Sequence, residues 1–396
     1  MHIGINAQLL SFSQNYRNGG VSRYIRSLLT ELAKRPGEHE YTVFVNGNEV
    51  VERLNARHEQ ISYVSAPWPE SRPAARVAWE QFMLPNLLRQ KHIDVLHSPV
   101  NVLPTWVPAQ CATIVTLHDL AFLRFPEVLT QAKRMYHQTF TIRSLRHATT
   151  LITVSESTRQ DAHELVGIPL ERIQTVYPCI NEHFSNVIKD EQIAQFRQQK
   201  GLTEGYVLYM GTLEPRKNIT TLIDAYALLR QKYAVREKLV LAGGKGWLYD
   251  AIFAKVRQLD MEADVLFPGF VADSEQALWY GAASAFAYPS LYEGFGLPVA
   301  EALAMGIPTV TSNVSSLPEA GAGVALCVDP GDVQAISEAV YKSLNDTTFR
   351  QHSQRMASSI AQRFSAARMA EQTIAVYEQA ARSGQQRRSH YISSTK

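Results

Sequence analysis

Short apolar runs alternate with longer amphipathic stretches along most of the chain. Runs rich in Val, Ile and Leu are typical of buried parallel strands, whereas apolar positions repeating every three to four residues are typical of helices. In the first half the pattern predicts strands at His2–Ala7, Tyr41–Val45, Ile61–Val64, Ile93–His97, Thr113–Leu117, Thr150–Val154 and Ile173–Val176. It predicts helices in the same half at Gly20–Lys34, Pro73–Gln90, Gln131–His147 and Ser157–Leu165.

The second half repeats the alternation. Its predicted strands are Tyr206–Met210, Leu239–Ala242, Val265–Phe267, Ala285–Tyr288, Pro308–Thr311 and Val324–Val328, with helices between them. Strands that alternate with helices indicate parallel sheets covered by helices on both faces. A chain of 396 residues favours more than one domain. We therefore predict an α/β protein made of two doubly wound, Rossmann-like domains.

The predicted domain boundary lies around Tyr177–Phe184, where Val-Tyr-Pro-Cys-Ile-Asn interrupts the alternation and a polar helical stretch follows. An amphipathic helix ends the pattern, and the polar residues after it are expected to be mobile. The predicted segments are an N-terminal domain over 1–183, a C-terminal domain over 184–365, a C-terminal helix over 366–382 and a polar tail over 383–396.

Composition narrows the functional classes. The chain is 45% hydrophobic and 19% charged with a net charge of +2, and it has no long basic tract, which argues against nucleic acid as a partner. Its three cysteines are scattered, which indicates a reducing compartment without a disulfide framework. We see no apolar run long enough to span a bilayer and no signal peptide. These features predict a cytoplasmic protein, and contact with the inner face of the membrane is left open.

Two carboxylates, Glu293 and Glu301, stand eight positions apart in the string Tyr-Glu-Gly-Phe-Gly-Leu-Pro-Val-Ala-Glu. An apolar run precedes the Gly-rich loop, and a helix is predicted to start at about Pro298, because proline suits the first helical position. Glu293 is then predicted on the loop and Glu301 in the first helical turn, at the strand end where open α/β sheets bind ligands. The N–H groups of the helix N-terminus suit phosphate or sugar oxygens.

Two cations follow the first predicted strand of the second half, in Gly-Thr-Leu-Glu-Pro-Arg-Lys-Asn. Asn218 is predicted to cap the next helix. Arg216 and Lys217 would then stand at that helix N-terminus, where Arg can bind a diphosphate through forked hydrogen bonds and Lys as a point charge.

Other predicted strand ends carry further candidates. Gly19 and Gly20 open the first helix but do not form a dinucleotide-binding fingerprint. His118 directly follows the strand that ends at Leu117, and Asp119 is a candidate to orient it or to bind an acceptor. The chain contains no Asp-x-Asp motif and no clustered metal-ligand spacing, so we predict no metal site.

Taken together, these motifs resemble the retaining glycosyltransferases of sequence family four (glycosyl transferase group 1), which have the two-domain GT-B fold. The resemblance implies that the N-terminal domain binds the acceptor, that the C-terminal domain binds a nucleotide sugar, and that the last helix crosses back to the first domain. Two departures stand out. Pro178 and Cys179 replace part of the family's hinge motif, and Thr212 stands where some members have Arg.

The resemblance also implies roles for named residues. Glu301 would bind the ribose, Arg216 and Lys217 the diphosphate, and Glu293 with His118 the sugar. The expected catalytic residues are His118, Arg216, Lys217 and Glu293. The residues expected to bind the donor are Gly19, Gly20, Gly211, Arg216, Lys217, Lys245, Gly269, Phe270, Gly294, Phe295, Gly296, Leu297 and Glu301. Within this set, Lys245, Gly269 and Phe270 are the candidates for the nucleobase.

The activity implied is metal-independent transfer of a hexose to a hydroxyl of a saccharide or a lipid-linked acceptor. The nucleotide sugar is a substrate, and no cofactor is expected. The motifs are similar to those of bacterial mannosyltransferases of cell-surface polysaccharides, including lipopolysaccharide, which favours GDP-mannose. UDP-glucose or another UDP-sugar is the first alternative. A GT-B-like epimerase and a non-catalytic sugar-nucleotide-binding subunit are the others.

The segment Pro67–Lys91 is amphipathic and carries both basic and aromatic residues. It has two interpretations. The segment could contact lipid or a lipid-linked acceptor. The favoured interpretation is a helix packed on the N-terminal sheet, because apolar stripes at this spacing are usually buried.

Overall fold

The computed structural model describes residues 1–12, 19–35, 37, 39–54, 59–66, 73–126, 131–185, 188–202 and 204–394. The chain divides into two compact units, which we call unit 1 (Met1–Cys179 with Ala366–Lys396) and unit 2 (Ile180–Ser365). The division falls between Cys179 and Ile180, slightly ahead of the predicted boundary after residue 183. Residues 67–72, which begin the segment Pro67–Lys91, lie outside the described residues.

Unit 1 is built on a parallel sheet of seven strands in the order β3-β2-β1-β4-β5-β6-β7. The strands are β1 (His2–Asn6), β2 (Glu40–Asn46), β3 (Ile61–Ala66), β4 (Val95–Ser98), β5 (Ala112–Leu117), β6 (Thr150–Thr153) and β7 (Ile173–Thr175). The helices are α1 (Gly20–Ala33), α2 (Asn48–Arg53), α3 (Pro73–Phe82), α4 (Leu84–Gln90), α5 (Ala121–Arg124), α6 (Gln131–Tyr136), α7 (Ile142–His147) and α8 (Glu156–Val166).

Two predicted helices are interrupted in unit 1. The stretch Pro73–Gln90 divides at Met83, and Pro85 lies in the first turn of α4, where its missing N–H costs little. The stretch Gln131–His147 contains the π-helical turn His137–Thr141 between α6 and α7. In contrast, α8 is capped by Ser155, whose Oγ accepts a hydrogen bond from Thr158 N at 3.0 Å.

Successive side chains along the strands of unit 1 point to opposite faces of the sheet, so its core forms two layers. Ile3 and Ile5 of β1 face one side of the sheet, whereas Phe44 of β2 belongs to the cluster on the other side. Trp79, Leu84 and Leu88 of the segment Pro67–Lys91 are at most 5% exposed and join that second cluster. Burying each such side chain contributes about 1.5–3 kcal/mol. The favoured interpretation of this segment is therefore confirmed for its inward face.

Unit 2 has a parallel sheet of six strands in the order β10-β9-β8-β11-β12-β13. The strands are β8 (Val207–Met210), β9 (Leu239–Ala242), β10 (Val265–Gly269), β11 (Ala285–Tyr288), β12 (Thr309–Ser312) and β13 (Leu326–Val328). The helices are α9 (Asp190–Gln199), α10 (Ile219–Lys232), α11 (Asp250–Gln258), α12 (Asp273–Gly281), α13 (Leu297–Ala304), α14 (Leu317–Gly321), α15 (Val333–Asn345) and α16 (Thr347–Arg363).

The last helix, α17 (Ala366–Ser394), returns to unit 1. Met369, Ala370 and Tyr377 are at most 1% exposed and belong to the same core cluster as Ile3 and Ile5. The helix continues well beyond the predicted end at residue 382. Gln and Arg are good helix formers, so the helix extends over the predicted polar tail as far as Ser394, and the mobility expected of this segment stays a prediction.

Both sheets change their direction of winding beside their first strand. In unit 1 the change falls between β1 and β4, and in unit 2 between β8 and β11. The carboxyl ends of the strands at such a switch point form the crevice where open α/β sheets bind ligands. Among the described helices, none is long and apolar enough to cross a membrane.

Candidate active site

Four charged side chains meet at the switch point of unit 2, and we call them the charged cluster: Glu214, Arg216, Lys217 and Glu293. Lys217 Nζ lies 2.5 Å from Glu293 Oε1, and Arg216 Nη1 lies 3.3 Å from Glu293 Oε2. Arg216 Nη2 lies 2.9 Å from Glu214 Oε1. No member of the cluster exposes more than 16% of its side chain. The structure thus brings together the two predicted cations and the first predicted carboxylate.

The turn after β8 places the two cations. Pro215 begins the 3₁₀ turn Pro215–Lys217, and Asn218 follows in the left-handed region with φ of 58°. The Asn218 amide donates to Pro289 O at 3.1 Å and to Pro330 O at 2.7 Å. Asn218 was predicted to cap α10 with its side chain. It occupies the cap position, but its side chain instead ties the turn to the segments that follow β11 and β13.

The charges in the cluster shift two pKa values in opposite directions. Burial alone would raise the pKa of Glu293, but Lys217 and Arg216 lower it to about 2. For Glu214, burial outweighs the attraction of Lys217 and Arg216, so its pKa is raised. Glu293 is therefore a carboxylate near neutral pH, and it holds both cations in defined positions.

Tyr288, the last residue of β11, connects members of the cluster. Its hydroxyl accepts a hydrogen bond from Lys217 Nζ at 2.9 Å and donates one to Glu293 Oε1 at 3.0 Å. Burial raises the pKa of Tyr288 well above 10, so the hydroxyl keeps its proton. Tyr209 of β8 stacks on the Tyr288 ring at 5.4 Å. Sequence reasoning missed Tyr288 and Glu214; their positions at a strand end and beside the Arg-Lys pair were the available signals.

The loop that carries Glu293 is held by two serines ahead of α14. Ser315 Oγ accepts a hydrogen bond from Glu293 N at 3.0 Å, and Ser316 Oγ donates to the carbonyl oxygens of Glu293 and Phe295 at 2.8 and 2.9 Å. Gly296 has φ of 106°, and a Cβ there would lie 2.8 Å from the Leu317 side chain, so the turn requires glycine.

Among the other loop candidates, Phe295 is 4% exposed and packs edge-to-face on Phe364. Its side chain is therefore part of the core. Gly294 is buried within the same loop, whereas Leu297 is half-buried and begins α13.

Glu301, the second predicted carboxylate, lies on α13. The helix begins at Leu297, one residue ahead of the predicted start, so Glu301 is in the second turn instead of the first. It is 3% exposed and accepts a hydrogen bond from Tyr280 Oη of α12 at 3.0 Å. Tyr280 therefore orients Glu301, and no sequence motif pointed to this partner.

The ends of β8, β9 and β10 bring three further candidates to one edge. Gly211 N donates to Ala242 O at 2.9 Å, and Gly243 N donates to Gly269 O at 2.8 Å. A Cβ on Gly243, which has φ of 145°, would overlap the Gly211 carbonyl group, so the two backbones need glycine to approach this closely. Lys245 pairs through its backbone with Leu213.

The side chains of the nucleobase candidates are accessible. Lys245 is exposed, and its Nζ lies 5.0 Å from the centre of the Tyr249 ring, over its face. Phe270 is 57% exposed beside Gly269, which has φ of 79°. Gly269 can adopt this left-handed conformation without strain. An exposed ring and a cation at one edge of the sheet could contact a planar base.

His118 lies in unit 1, directly after β5 as predicted. Its Nε2 lies 2.9 Å from Pro99 O, and because a carbonyl oxygen only accepts, Nε2 carries the proton. Burial lowers the pKa of His118, so the ring is neutral and Nδ1 is a hydrogen-bond acceptor. Asp119 Oδ1 accepts from Ala121 N at 3.0 Å, so the aspartate stabilises the start of α5.

A buried hydrogen-bond chain lies beside His118. His97 of β4 pairs with Tyr377 Oη of α17 at 2.7 Å and with Thr116 Oγ1 of β5 at 2.8 Å. Burial lowers the pKa of His97 to about 3, so this ring is also neutral. The Tyr24 ring of α1 meets His118 edge-on at 5.3 Å. Sequence reasoning did not single out His97 or Tyr377.

The glycine pair of unit 1 has a simple structural role. Gly19 occupies the N-cap position of α1 without a side-chain cap, and Gly20 is the first helical residue. A Cβ on Gly20 would meet no atom within 4 Å. Its own surroundings therefore do not require glycine, and the expected proximity to donor phosphates stays a prediction. Among the described residues, no group of three or more His, Cys, Asp or Glu side chains is placed to hold a metal.

Comparison with known proteins agrees with this architecture. The family model for glycosyl transferases group 1 matches residues 190–363, and the model for glycosyltransferase family 4 matches residues 18–184. O-antigen chain mannosyltransferase B of Escherichia coli is 34% identical over 291 residues, which cover 74% of this chain and 76% of that protein. The serotype-specific mannosyltransferase WbdA of Escherichia coli is 25% identical over 375 residues, 88% of this chain but 44% of that longer protein.

Solved structures show the same fold at low sequence identity. The crystal structure of Anabaena HepE in complex with UDP and glucose has a TM-score of 0.71 and 19% identity, covering 96% of this chain and 100% of that chain. WaaG, a glycosyltransferase involved in lipopolysaccharide biosynthesis, has a TM-score of 0.70 and 18% identity. With the two doubly wound units and both family models, these matches show that the chain belongs to the family 4 (group 1) glycosyltransferases and has the GT-B fold.

Proposed function

We propose that the protein is a retaining, metal-independent mannosyltransferase that uses GDP-mannose and glycosylates a saccharide or lipid-linked saccharide in the synthesis of a cell-surface polysaccharide. The main support for a nucleotide diphosphate sugar as the donor is the pair Arg216 and Lys217, which lies beside Glu293 at the switch point of unit 2. The two relatives from Escherichia coli, both named mannosyltransferases, support mannose as the sugar.

The charged cluster suits a diphosphate. Lys217 Nζ has three N–H donors, and two of them bind Tyr288 Oη and Glu293 Oε1. The third is available for a phosphate oxygen. Arg216 is anchored through Nη1 to Tyr292 O at 2.7 Å and through Nη2 to Glu214. In the transition state the leaving diphosphate gains negative charge, so cations that are already in place stabilise it without reorganising.

Glu293 is better suited to position the cations than to act as a base. Its two oxygens bind Lys217 and Arg216, and its pKa of about 2 makes it a weak proton acceptor at neutral pH. The cluster therefore favours a mechanism without a protein nucleophile, in which the leaving phosphate helps to remove the proton of the acceptor hydroxyl. In such a mechanism the acceptor attacks the sugar from the face that the diphosphate leaves, so the configuration is retained.

His118 and Glu301 complete the proposal. A neutral His118 with an accepting Nδ1 can bind a sugar hydroxyl but cannot act as a general acid near neutral pH. Glu301, oriented by Tyr280, is proposed to accept hydrogen bonds from ribose hydroxyls. Phe270 and Lys245 are proposed to contact the nucleobase.

A donor screen tests the proposal. Thermal unfolding is measured with GDP-mannose, UDP-glucose, GDP, UDP and ADP, because a ligand that binds the folded protein raises its unfolding temperature. We expect the largest increase with GDP-mannose and GDP. A larger effect of UDP-glucose would favour the UDP-sugar alternative, for which the HepE complex with UDP and glucose is the precedent.

The reaction itself is tested with the donor that binds. Transfer to a synthetic mannobiose acceptor is followed with excess EDTA, and NMR of the product gives the configuration at the new linkage. We expect undiminished transfer and an α-linked product from an α-linked donor. An inverted linkage, or activity that EDTA abolishes, would contradict the proposed mechanism. Interconversion of the free nucleotide sugar without an acceptor would instead indicate an epimerase.

A further inference from the structure

A large cavity of unit 2 lies at the edge of its sheet where the strands begin, opposite the edge that carries the charged cluster. We call it the amino-edge cavity. It has a volume of about 920 Å³, and its wall includes Ser284 and Pro308, the residues just before β11 and β12. Residues of α9 and α16 also line it. A cavity of this size is large enough for a small-molecule ligand.

Three arginines line the amino-edge cavity: Arg197 of α9, and Arg350 and Arg355 of α16. Within the part of the chain that the structure describes, none of the three forms an ion pair with a carboxylate. By contrast, Arg230 of α10 pairs with Asp264 at 3.0 Å. The acidic residue of the wall, Asp190, is exposed at the start of α9. The cavity therefore carries excess positive charge, which favours an anionic ligand.

Backbone carbonyl groups hold two of these arginines in place. Arg197 donates through Nε and Nη2 to Ala282 O at 3.1 and 2.6 Å, and Arg350 donates through Nη1 to Ser284 O at 3.2 Å. Both arginines are half-buried, and they are anchored two positions apart in the segment before β11. Nη1 of Arg197 and Nη2 of Arg350 form no hydrogen bond with a described residue, so both keep donors for the oxygens of a phosphate.

The rest of the wall suits the body of a sugar better than a nucleobase. Ser284, Gln354 and Ser358 contribute hydroxyl and amide groups, which can exchange hydrogen bonds with sugar hydroxyls. Among the described residues of the wall, the only aromatic one is Phe184, which is 1% exposed and packs edge-to-face on Tyr280. The wall therefore presents no exposed ring on which a base could stack.

We propose that the amino-edge cavity binds a hexose monophosphate, with Arg197 and Arg350 on the phosphate and the polar side chains of α16 on the sugar hydroxyls. A phosphate monoester, with a charge of about −2 near neutral pH, would balance these two half-buried cations. Arg355, which is exposed, would attract the anion to the entrance. None of these residues belongs to the charged cluster or to the predicted donor site, so hexose phosphate binding does not depend on the proposed function.

The same cavity adjoins two helices that carry donor-site residues. Gly281 and Met305 line it. Gly281 follows Tyr280 at the end of α12, and Met305 directly follows α13, which carries Glu301 about one turn earlier. Tyr280 Oη donates to Glu301 at 3.0 Å. A ligand that fixes both helix ends should hold Glu301 in place and tighten donor binding. This consequence, unlike hexose phosphate binding itself, rests on the proposed function.

Calorimetric titration of the full chain tests the site. We expect mannose 6-phosphate and glucose 6-phosphate to bind saturably, inorganic phosphate to bind at least about tenfold more weakly, and unphosphorylated mannose not to bind. The charged cluster also contains cations, so the titration is repeated with Lys217→Met/Glu293→Gln. With its fold confirmed by thermal unfolding, this variant should bind the hexose phosphates like the wild type.

Substitutions of the arginines localise the binding. R197Q and R350Q should each weaken hexose phosphate binding at least about tenfold. Arg350 Nη1 also donates to two carbonyl oxygens at the end of α15, so R350Q is expected to lower stability as well. R355Q replaces an exposed side chain and should weaken binding about threefold without changing the unfolding temperature. The matched control is R257Q, since Arg257 of α11 is exposed and lies outside the cavity wall.

GMP separates the two sites, because it resembles part of the proposed donor. It should bind the wild type and R350Q equally. If R350Q weakened GMP binding as strongly as hexose phosphate binding, the cavity would be a nucleotide site and the proposal would be wrong. No saturable binding of hexose phosphates, binding that R197Q and R350Q leave unchanged, or binding that Lys217→Met/Glu293→Gln abolishes would also overturn it.

The effect on the donor site is measured separately, as the affinity for GDP or UDP, whichever nucleotide raises the unfolding temperature more. Saturating mannose 6-phosphate should tighten nucleotide binding at least about fivefold in the wild type and leave it unchanged in R350Q. Equal nucleotide affinity with and without mannose 6-phosphate in the wild type would contradict the link between the two sites. The binding of hexose phosphate would then stand on its own titrations.

Discussion

The two units use the same winding but carry different chemistry at their switch points. In unit 1 the buried carboxyl is Glu80, which bonds to Asn6 at the end of β1 and to the single cation Arg76, and burial raises its pKa. In unit 2 Glu293 has two cations, which together overcome burial and lower its pKa to about 2. Two cations that bond directly to Glu293 thus outweigh its burial, whereas the one direct cation contact of Glu80 does not. This difference is why we propose that the second unit binds the anionic donor.

The other polar groups near the two switch points also differ between the units. The buried partners of His97 in unit 1 are the hydroxyls of Thr116 and Tyr377, and the imidazole itself is neutral. All three side chains are fully buried, so these hydrogen bonds join β4, β5 and α17. Unit 2 instead surrounds its cations with the hydroxyl of Tyr288 and two carboxylates. One fold, used twice, therefore carries two different sets of buried polar contacts at its switch points.

The largest effect is expected from removing the cations of unit 2. Lys217→Ala and Arg216→Ala should each lower turnover by about 10²- to 10³-fold, as is typical when a pre-placed stabilising group is lost. Steady-state kinetics with the donor identified by thermal unfolding measure this effect. Lys232→Ala is the matched control, since Lys232 is an exposed cation of the same unit. Near-normal rates in both variants would remove the pair from the mechanism.

Loss of a buried partner could also destabilise unit 2, so stability needs its own control. Lys217→Ala leaves Glu293 buried with one cation fewer, and breaking such a pair can cost about 3–5 kcal/mol. The double variant Lys217→Met/Glu293→Gln removes both charges and should recover most of that stability while remaining inactive. Recovery of activity together with stability would show that the cluster is structural only.

A smaller effect is expected from Glu214→Gln. The glutamine keeps the shape but replaces the carboxyl acceptor of Arg216 with an amide oxygen, which is a weaker acceptor. We expect a loss of kcat/KM of about tenfold, since hydrogen bonds to charged groups contribute about 1.5–3 kcal/mol. Most of the change should appear as a higher KM for the donor. An unchanged KM would mean that Glu214 does not position Arg216.

Much of the difference between the two units could be predicted from the sequence, because the apolar periodicity shows where each strand ends. His118, Arg216, Lys217 and Glu293 were all expected at the ligand edges of their sheets, and the structure places them there. The α/β fold with two doubly wound units was confirmed for the same reason. Local apolar spacing encodes which residues end a strand.

What the sequence did not reveal depends on distant contacts. Tyr377 lies 280 positions from His97, and Lys217 lies 71 positions from Tyr288, so no local pattern links them. Asn218 occupies the predicted cap position, but the sequence did not reveal that its amide bonds to carbonyl oxygens after two other strands. The length of α17 was underestimated because helix propensity continues where the apolar pattern stops.

The smallest expected effect is on the pH dependence of stability, where His97 of unit 1 and Glu293 of unit 2 contribute in different pH ranges. For His97 the unfolded pKa is 6.5 and the folded pKa about 3. Its contribution to stability is complete above pH 6.5 and is lost as the pH falls towards 3, because the unfolded chain then binds the proton. At pH 5.5 the loss is about 1.4 kcal/mol. Glu293 contributes in a lower pH range, since its contribution to stability is present above pH 4.5 and is lost as the pH falls towards 2.

Calorimetric unfolding of the wild type and His97→Gln between pH 7.5 and 4.5 checks this prediction. Burial also lowers the pKa of His118, which adds to the loss of stability at low pH, whereas burial raises the pKa of Glu80, which opposes that loss. The informative quantity is therefore the difference in unfolding free energy between the wild type and the variant. We expect a shallower decrease in the variant. Identical slopes would show that His97 can be protonated in the folded state.

The most direct test of the account is the contribution of the diphosphate to binding. Calorimetric titration compares GDP with guanosine, and UDP with uridine, for the wild type and for Lys217→Ala. We expect the preferred diphosphate to bind the wild type at least about tenfold more tightly than its nucleoside, with most of that difference lost in the variant. If the same difference persisted without Lys217, or if the nucleoside bound the wild type as tightly as its diphosphate, the charged cluster would not be a diphosphate site.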